Sequence, residues 1–242
     1  MTDALGLRAV FSTLIPATNA MVEPDMSRLS PAGVTNQTYR FAFPALPATA
    51  QELTQLIEPT IELALACEPD RIIIAYSPEY MTDNNNNAAL HLRDFIAQRV
   101  TVPVTLAGDA VPNALDALNV KRIGLVTPFP AKANRNVATY FAMRGFTVVN
   151  EAGFASAQKG GVHSARISEQ DVRDAFATVA TSNADVLVQV GTALVCAGFV
   201  AELEAEHKKP VVAVNSATYW LALRQHGISD QFGGYGKLFT DC

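Results

Sequence analysis

The stretch Asp185-Val186-Leu187-Val188-Gln189-Val190-Gly191-Thr192-Ala193-Leu194 decides the fold of this chain. Its first half is an apolar run rich in valine, and the run ends abruptly at Gly191-Thr192. Such a run, bounded by turn residues, is typical of a strand buried on both faces of a parallel sheet. Residues 194 to about 207 are predicted to follow as a helix. A strand, a glycine turn and a helix place backbone N–H groups at the carboxyl end of the sheet, where open α/β proteins bind ligands. We therefore expect half of an active site at Gly191 and Thr192.

A matching stretch earlier in the chain is expected to supply the other half. Residues 71–76 form a predicted strand that ends in the turn Tyr76-Ser77-Pro78-Glu79. Two more pairs repeat at nearly the same offset, namely Leu14-Ile15-Pro16 with Val126-Thr127-Pro128, and Pro103-Val104-Thr105 with Pro210-Val211-Val212. Three strands in the same order predict two similar parallel-sheet domains. If the two halves face each other, Ser77 and Gly191 lie across one cleft.

The remaining elements alternate between strands and helices. The other predicted strands cover residues 10–15, 39–43, 102–106, 122–126, 147–150 and 211–214. The other predicted helices are a short one after Asn19, one ending near Arg99, and those over 49–66, 112–118, 131–144, 168–181 and 216–225. Residues 84–87, all asparagine, are predicted to be a solvated loop, and the loop over 156–165 with His163 can close over the site. We predict an N-terminal domain of residues 1–118 plus 222–242 and a C-terminal domain of residues 119–221, with the ligand cleft between them.

The composition excludes several classes of partner. The chain of 242 residues has a net charge of −5 and no dense Lys/Arg cluster, which argues against a nucleic-acid surface. It has neither an apolar stretch long enough for a membrane span nor a signal-peptide start, so we expect a cytoplasmic protein. Its three cysteines are odd in number, far apart and without metal-ligand spacing, which predicts free thiols and no metal site.

Several short motifs together resemble those of a known superfamily. They are Ile15-Pro16-Ala17-Thr18-Asn19 with Glu23-Pro24, Tyr76-Ser77-Pro78-Glu79, Thr127-Pro128-Phe129, Val190-Gly191-Thr192-Ala193-Leu194, residues 210–220, and Gly234-Tyr235-Gly236-Lys237-Leu238. In this order, over nearly the whole chain, they resemble the Asp/Glu racemase superfamily, and most closely its arylmalonate decarboxylase and maleate cis–trans isomerase branch.

The resemblance implies an α/β fold of two Rossmann-like parallel-sheet domains related by a pseudo-two-fold axis, with a small carboxylate substrate between them and no cofactor. In the family, one or two cysteines at the paired strand ends move protons or attack the substrate. This sequence departs from that pattern, because Ser77 (or Pro78, if the turn slips by one residue) and Gly191 stand at the thiol positions, and Phe129 replaces a tyrosine. Asn19, Thr127 and Thr192 remain as substrate donors.

Each binding candidate has a functional and a purely structural interpretation. Asn19 can donate its amide to a substrate carboxylate, or its side chain can only cap a helix. Thr192 and the N–H groups around Gly191 can form an oxyanion site. Gly191 can also serve only a left-handed turn or close helix packing. Phe129 is expected to form an apolar wall or part of the core. Cys196 lies past the thiol position and is expected to be a buried structural thiol.

Ser77 and Glu79 are the candidates for proton chemistry. Ser77 can be a nucleophile or a proton relay, although a serine needs an adjacent base, or its hydroxyl can only bind the ligand or cap the helix. Glu79 can be that base if it faces the cleft, where burial raises the pKa of a carboxyl. Otherwise it is a solvated carboxylate at a helix start. The complete predicted site consists of Ser77 and Glu79 as catalytic residues and Thr18, Asn19, Pro78, Thr127, Phe129, Gly191, Thr192 and Ala193 as substrate contacts.

Three functions remain open from the sequence. The first is a cofactor-independent, cysteine-independent enzyme that acts next to the carboxylate of a small acid, as a lyase (decarboxylase) or an isomerase (racemase or cis–trans type). The second is a hydrolase or lyase on the same scaffold that uses Ser77 and Glu79. The third is a carboxylate-binding protein without turnover. A homo-oligomer is expected, and neither nucleic acid nor a membrane is expected as a partner.

Overall fold

Two four-stranded parallel sheets form the frame of the protein in a computed structural model that describes residues 5–82 and 87–242. The strands are β1 (Ala9–Pro16), β2 (Val34–Phe41), β3 (Arg71–Ile74), β4 (Val104–Leu106), β5 (Arg122–Thr127), β6 (Thr147–Gly153), β7 (Val186–Gln189) and β8 (Val211–Ala213). Their order is β2-β1-β3-β4 in one sheet and β6-β5-β7-β8 in the other. The halves therefore match strand for strand, and the predicted α/β class with two similar Rossmann-like sheets is confirmed.

Helices flank both sheets. They are α1 (Val22–Leu29), α2 (Ala50–Leu65), α3 (Ala88–Ala97), α4 (Ala107–Ala117), α5 (Ala131–Met143), α6 (Gly161–Ala165), α7 (Glu169–Val179), α8 (Val200–His207), α9 (Val214–Gln225) and α10 (Lys237–Asp241). Single 3₁₀ turns cover Pro78–Met81, Ala157–Lys159 and Ala197–Phe199. Thr49 and Ser168 cap α2 and α7, since their hydroxyls accept the N–H groups of Glu52 and Asp171 at 3.2 and 3.1 Å.

The central strands are buried because helices cover both faces of each sheet. Every residue of β1, β3 and β7 is buried, as the apolar runs predicted. The outer strands β2 and β6 are partly exposed and carry more polar residues. The carboxyl ends of β1, β3, β5 and β7 therefore meet in the middle of the molecule.

Two helix predictions need correction. The helix predicted to begin at Leu194 begins at Val200 instead, because Gly191 turns the chain with φ +99° and Leu194 donates its N–H back to the Gly191 carbonyl. The helix predicted from Pro112 already begins at Ala107. Proline lacks the N–H that would bind the carbonyl four residues earlier, and the Tyr140 hydroxyl donates to that carbonyl of Gly108 instead.

The C-terminal tail packs on the first half of the chain. Arg8 forms an ion pair with Asp230, and the Tyr235 hydroxyl donates to the Arg28 carbonyl. The main core nevertheless contains residues of both sheets. The exact division into residues 1–118 plus 222–242 and residues 119–221 stays a prediction.

Some other expectations are not tested by the structure. The predicted loop residues 84–86 lie outside the described residues, whereas Asn87 accepts the N–H of Leu90 and caps α3 at 3.2 Å. In the two described ranges, every helix is too short or too polar to cross a bilayer. The cytoplasmic location and the homo-oligomeric state stay predictions.

Candidate active site

A cavity lies where the carboxyl ends of the central strands of both sheets meet. Together with the open solvent at its mouth, it encloses about 440 Å³ of empty space. It is lined by Pro16, Thr18, Asn19, Phe43, Leu46, Tyr76, Ser77, Tyr80, Pro128, Phe129, Ala157, Gly161, Ser164, Gly191, Thr192 and Ala193. Seven of the ten predicted site residues belong to this lining, and Pro78, Glu79 and Thr127 do not.

Ser77 joins the two halves of the site. It ends the loop after β3, and its Oγ accepts the N–H of Gly191 from the other half at 3.1 Å. Ser77 is only 3% exposed, so its hydroxyl faces the cavity and not bulk solvent. Because the Gly191 N–H occupies one lone pair of Oγ, the Ser77 proton and the second lone pair remain for other partners.

Asn19 and Thr192 form a second bridge between the halves. The Asn19 amide donates to Thr192 Oγ1 at 3.1 Å, while its Oδ1 accepts the N–H groups of Met21 and Val22 at 2.9 and 3.0 Å. Both interpretations of Asn19 therefore hold in part, since one end caps α1 and the other reaches the cavity. Thr192 keeps its own hydroxyl proton, and the N–H groups of Thr192 and Ala193 donate to no group among the described residues.

The Thr192 loop is held from behind by buried polar groups. The Asn215 amide donates to the Thr192 carbonyl at 3.0 Å and to Asp25 Oδ2 at 2.8 Å. Asp25 is 2% exposed, and burial raises the pKa of its carboxyl to about 6, against the effects of the Asn215 hydrogen bond and the Arg28 charge. These contacts tie the Thr192 loop to α1 and so fix the two bridges relative to each other.

The structure places Thr127 and Pro78 outside the cavity wall. The Thr127 hydroxyl donates to Asn134 Oδ1 at 2.5 Å and accepts the Phe129 N–H at 3.0 Å, so it has no proton left for a substrate. Its role is to shape the turn that carries Phe129. Pro78 packs beside Gly108 at the start of α4, on the side away from the cavity.

Glu79 does not face the cavity, contrary to the expectation for a base in the cleft. It is fully buried, and neither carboxyl oxygen has a hydrogen-bond partner of good geometry among the described residues. Burial raises the pKa of Glu79 to about 8. Its own backbone N–H, the nearby Ser77 hydroxyl and the Arg144 charge oppose that rise, while the Asp109 charge adds to it. At neutral pH this carboxyl is mostly protonated.

The wall opposite the donors is aromatic. Tyr80 and Phe129 stack with ring centroids 5.0 Å apart, so the expectation of an apolar wall at Phe129 agrees with its place in the cavity. The Tyr76 and Tyr80 hydroxyls are 2.7 Å apart, and Tyr80 donates to the Pro47 carbonyl at 2.7 Å. These phenol hydroxyls therefore make their hydrogen bonds within the protein, and the wall presents aromatic rings to a ligand. Phe43 and Leu46 complete it.

Gly191 has no room for a side chain. A Cβ atom there would lie 2.4 Å from Pro128 Cδ and 2.5 Å from its Cγ. The φ of +99° is also a conformation that other residues rarely adopt. The tight turn and the cavity position of Gly191 thus occur together, which keeps the two interpretations of this glycine compatible.

No cysteine lines the cavity, although all three lie in the described part of the chain. Cys196 is 1% exposed, and burial raises the pKa of its thiol, as expected for a structural residue. Nor do the described residues contain a group of three His, Cys, Asp or Glu side chains that could hold a metal ion. A ligand in this cavity would therefore meet neutral hydrogen-bond donors and aromatic rings.

The sequence missed part of the lining. Gly161 and Ser164 come from α6, in the segment predicted as a loop that can close over the site, and Gly161 packs directly on Thr18. Ser164 Oγ lies 2.9 Å from Ser156 Oγ, which fixes α6 against the preceding turn. His163, the residue noted in that loop, is exposed and does not line the cavity. No signal in the sequence marked Tyr80, because its place in the lining depends on the 3₁₀ turn that follows Ser77.

Comparison with known proteins now identifies the family. The model of the arylmalonate decarboxylase family matches residues 82–239, which is more than half of the chain. The chain belongs to the arylmalonate decarboxylase family. The resemblance to this branch is thereby confirmed, and no curated protein sequence matches the chain.

Solved structures with the same fold include isomerases and a decarboxylase. The maleate cis–trans isomerase of Nocardia farcinica has 21% identity and a TM-score of 0.84, over 95% of this chain and 97% of that one. The maleate isomerase Iso of Pseudomonas putida S16 has 18% identity and a TM-score of 0.82, over 96% and 98%. An arylmalonate decarboxylase has 19% identity and a TM-score of 0.75, over 95% and 98%. At these identities the likeness establishes the shared fold of the family.

Proposed function

We propose that this chain is a cofactor-independent enzyme that makes or breaks a bond next to the carboxylate of a small carboxylic acid. The reaction would be a decarboxylation, a cis–trans isomerisation or a racemisation. Membership of the arylmalonate decarboxylase family and the fold shared with maleate isomerases support this class of reaction.

The donor wall of the cavity is the observation that carries the proposal. Asn19, Ser77 and Thr192 converge there from both halves of the chain, and the buried Thr18 hydroxyl next to them has no hydrogen-bond partner among the described residues. Buried polar groups are normally paired, so an unpaired hydroxyl at a cavity indicates a ligand that completes it. A carboxylate supplies the acceptor oxygens that these donors lack.

The proposed chemistry follows from where charge develops. Breaking a bond at the carbon next to a carboxyl group moves negative charge onto the carboxyl oxygens. Fixed donors such as Thr192, the nearby free backbone N–H groups and Asn19 would stabilise that charge without having to reorganise. The aromatic wall would hold the apolar part of the acid and exclude water from the reacting carbon.

We further propose that both thiol positions of the superfamily are substituted here, by Ser77 and Gly191. The N. farcinica isomerase has been captured with a covalently bound succinylcysteine intermediate. No cysteine of the present chain lines the cavity, which supports a reaction without a covalent thiol step. Ser77 is the hydroxyl best placed to handle a proton.

Proton NMR in D₂O with a panel of malonates, maleate and aspartate- or glutamate-like acids tests this function. We expect deuterium incorporation, isomerisation or loss of carbon dioxide with at least one acid. Replacing Ser77→Ala should slow that reaction at least a hundredfold, the lower end of what a proton-transferring group contributes. The exposed Ser182→Ala is the matched control and should leave the rate unchanged.

The absence of a thiol at the cavity also favours a second candidate, a carboxylate-binding protein without turnover. Line broadening of one acid without any chemical change would support it and would contradict the enzyme. A hydrolase that uses Ser77 as nucleophile would instead leave an acyl group on Ser77, which mass spectrometry detects.

A further inference from the structure

Glu79 is the one fully buried carboxyl next to the cavity among the described residues, and the donor wall does not use it. It follows Ser77 by two residues, within the 3₁₀ turn Pro78–Met81. A carboxyl with no hydrogen-bond partner in a protein interior is costly and demands an explanation. The family's thiol chemistry gives none.

The position of Glu79 behind Ser77 suggests that explanation. The Ser77 hydroxyl is close enough to lower the pKa of the carboxyl, although no hydrogen bond of good geometry joins them. A hydroxyl oxygen carries one proton and two lone pairs. In Ser77, the Gly191 N–H occupies one lone pair, which leaves the other lone pair and the rotatable proton for Glu79 and for a ligand in the cavity.

We propose that Glu79 is the proton reservoir of the site and acts through the Ser77 hydroxyl. When the bond to a carboxyl group breaks and carbon dioxide leaves, the electron pair stays on the neighbouring carbon. Ser77 gives its proton to this carbanion or enediolate carbon and takes the Glu79 proton in the same event. A C–H bond forms, the serine stays a hydroxyl, and Glu79 is left as a carboxylate. Water then returns a proton to Glu79. Glu79 is thus a positioning residue, and this proposal rests on the proposed function.

This arrangement removes the main objection to a serine at the proton-transfer position. A lone serine hydroxyl is too weak an acid to give up its proton, and it needs a partner. As a relay it never becomes an alkoxide, because it gains a proton as it loses one. A protonated Glu79 also leaves the cavity without a negative charge that would repel a substrate carboxylate.

Charged groups on the far side of Glu79 surround a second cavity. Asp109 of α4 and Arg144 at the end of α5 line it together with Arg93 of α3. Arg93 and Arg144 both form ion pairs with Asp109, that of Arg144 at 3.0 Å. The phenols that interact with the Glu79 charge are those of Tyr76, Tyr80 and Tyr140. In the proposed relay, water reaches Glu79 from the side of Asp109 and Arg144, the two charged groups that act on its carboxyl.

Infrared spectroscopy tests the reservoir without any substrate. The difference between wild type and Glu79→Gln at pH 7 should show the carbonyl band of a protonated carboxyl, and the band should disappear as the pH rises through about 8. Absence of this band at pH 7 would mean that Glu79 is ionised, and it would overturn the reservoir whether or not a substrate has been found.

Kinetics with an acid that the wild type turns over tests the route through Ser77. Glu79→Gln should lower kcat about a hundredfold with little change in KM, because it touches no substrate. Ser77→Ala with Glu79→Gln should be no slower than Ser77→Ala alone, since both groups act in one relay. If the rate losses of the two substitutions multiplied in the double variant, the route through Ser77 would be overturned. Glu151→Gln, at a more exposed carboxyl, is the control and should match wild type. Failure of the proposed function would appear separately, as absence of turnover in the wild type.

Discussion

The ends of β3 and β7 occupy the same place in the two halves of the molecule, yet they carry different chemistry. The chain after β3 brings the Ser77 hydroxyl to the cavity and the buried Glu79 carboxyl behind it. The chain after β7 brings Gly191, which has no side chain, and then the donors of Thr192. The first end is equipped to move a proton, and the second only to bind.

Packing explains why the second end has no reactive side chain. The Pro128 ring packs against Gly191 so closely that a Cβ atom on Gly191 would lie 2.4 Å from Pro128 Cδ. Pro16, the equivalent proline of the first half, lines the cavity as Pro128 does, but the strand end next along that half carries a side chain, Ser77. A repeated fold therefore became a one-sided site, in which a substrate would receive its proton from the β3 face. If the reaction is a decarboxylation, such a site is expected to give a single enantiomer of the product.

The largest expected effect comes from breaking the packing at Gly191. Gly191→Cys should lower the free energy of unfolding by on the order of 4 kcal/mol, since it combines a strained backbone conformation with overpacking against Pro128. Thermal unfolding measures this loss. Gly198→Cys is the matched control, because Gly198 has a permitted φ and no atom within 4 Å of its Cβ position.

The same variant tests whether the two strand ends can be made alike. If Gly191→Cys were as stable as wild type and showed thiol-dependent turnover, the difference between the two ends would be a matter of sequence and not of packing. We expect neither result.

The fold and most of the cavity could be predicted because they follow from the strands. Buried apolar runs fix β1, β3 and β7, and parallel strands bring their carboxyl ends to one edge of a sheet. Residues two or three positions past those ends, such as Asn19, Ser77 and Gly191, were therefore predicted to lie together, and all three line the cavity.

The failures are Pro78 and Glu79, which follow Ser77, and Thr127, the last residue of β5. After Ser77 the chain enters a 3₁₀ turn, in which residues three apart lie on the same side. Ser77 and Tyr80 therefore line the cavity, while Pro78 and Glu79 point elsewhere. The sequence marks no such turn, and so side-chain directions there could not be predicted. Likewise, only the folded turn shows that Asn134 and the Phe129 N–H occupy the Thr127 hydroxyl.

The second largest expected effect is the pH dependence of the free energy of unfolding, which Glu79 causes at the β3 end. Burial raises the pKa of Glu79 from 4.5 to about 8 in the folded protein. The stability linked to its protonated form is fully present below pH 4.5 and is lost as the pH rises through about 8, a loss of a few kcal/mol. Glu79→Gln cannot ionise and should not show this loss.

Chemical denaturation of wild type and Glu79→Gln at pH 5 and pH 9 measures the difference. We expect the variant to gain stability relative to wild type at the higher pH. Glu151→Gln is the comparison. The Glu151 carboxyl is less buried, and the Arg135 charge opposes the rise of its pKa, so this variant should show a smaller gain. An equal pH dependence in wild type and Glu79→Gln would mean that the carboxyl reaches water, and the contrast between the two strand ends would weaken.

The smallest expected effect concerns binding at the β7 end. Thr192→Val keeps the shape of the side chain but removes the hydroxyl that accepts the Asn19 amide and that can donate to a carboxylate. We expect the KM or Kd for the acid to rise about tenfold, the cost of one hydrogen bond to a charged group. The value of kcat should fall less than in Ser77→Ala, because Thr192 binds the carboxylate and moves no proton. The exposed Thr178→Val, whose hydroxyl bonds only within its own helix, is the control. A larger fall in kcat than in Ser77→Ala would place the proton chemistry at the β7 end and reverse the assignment of the two ends.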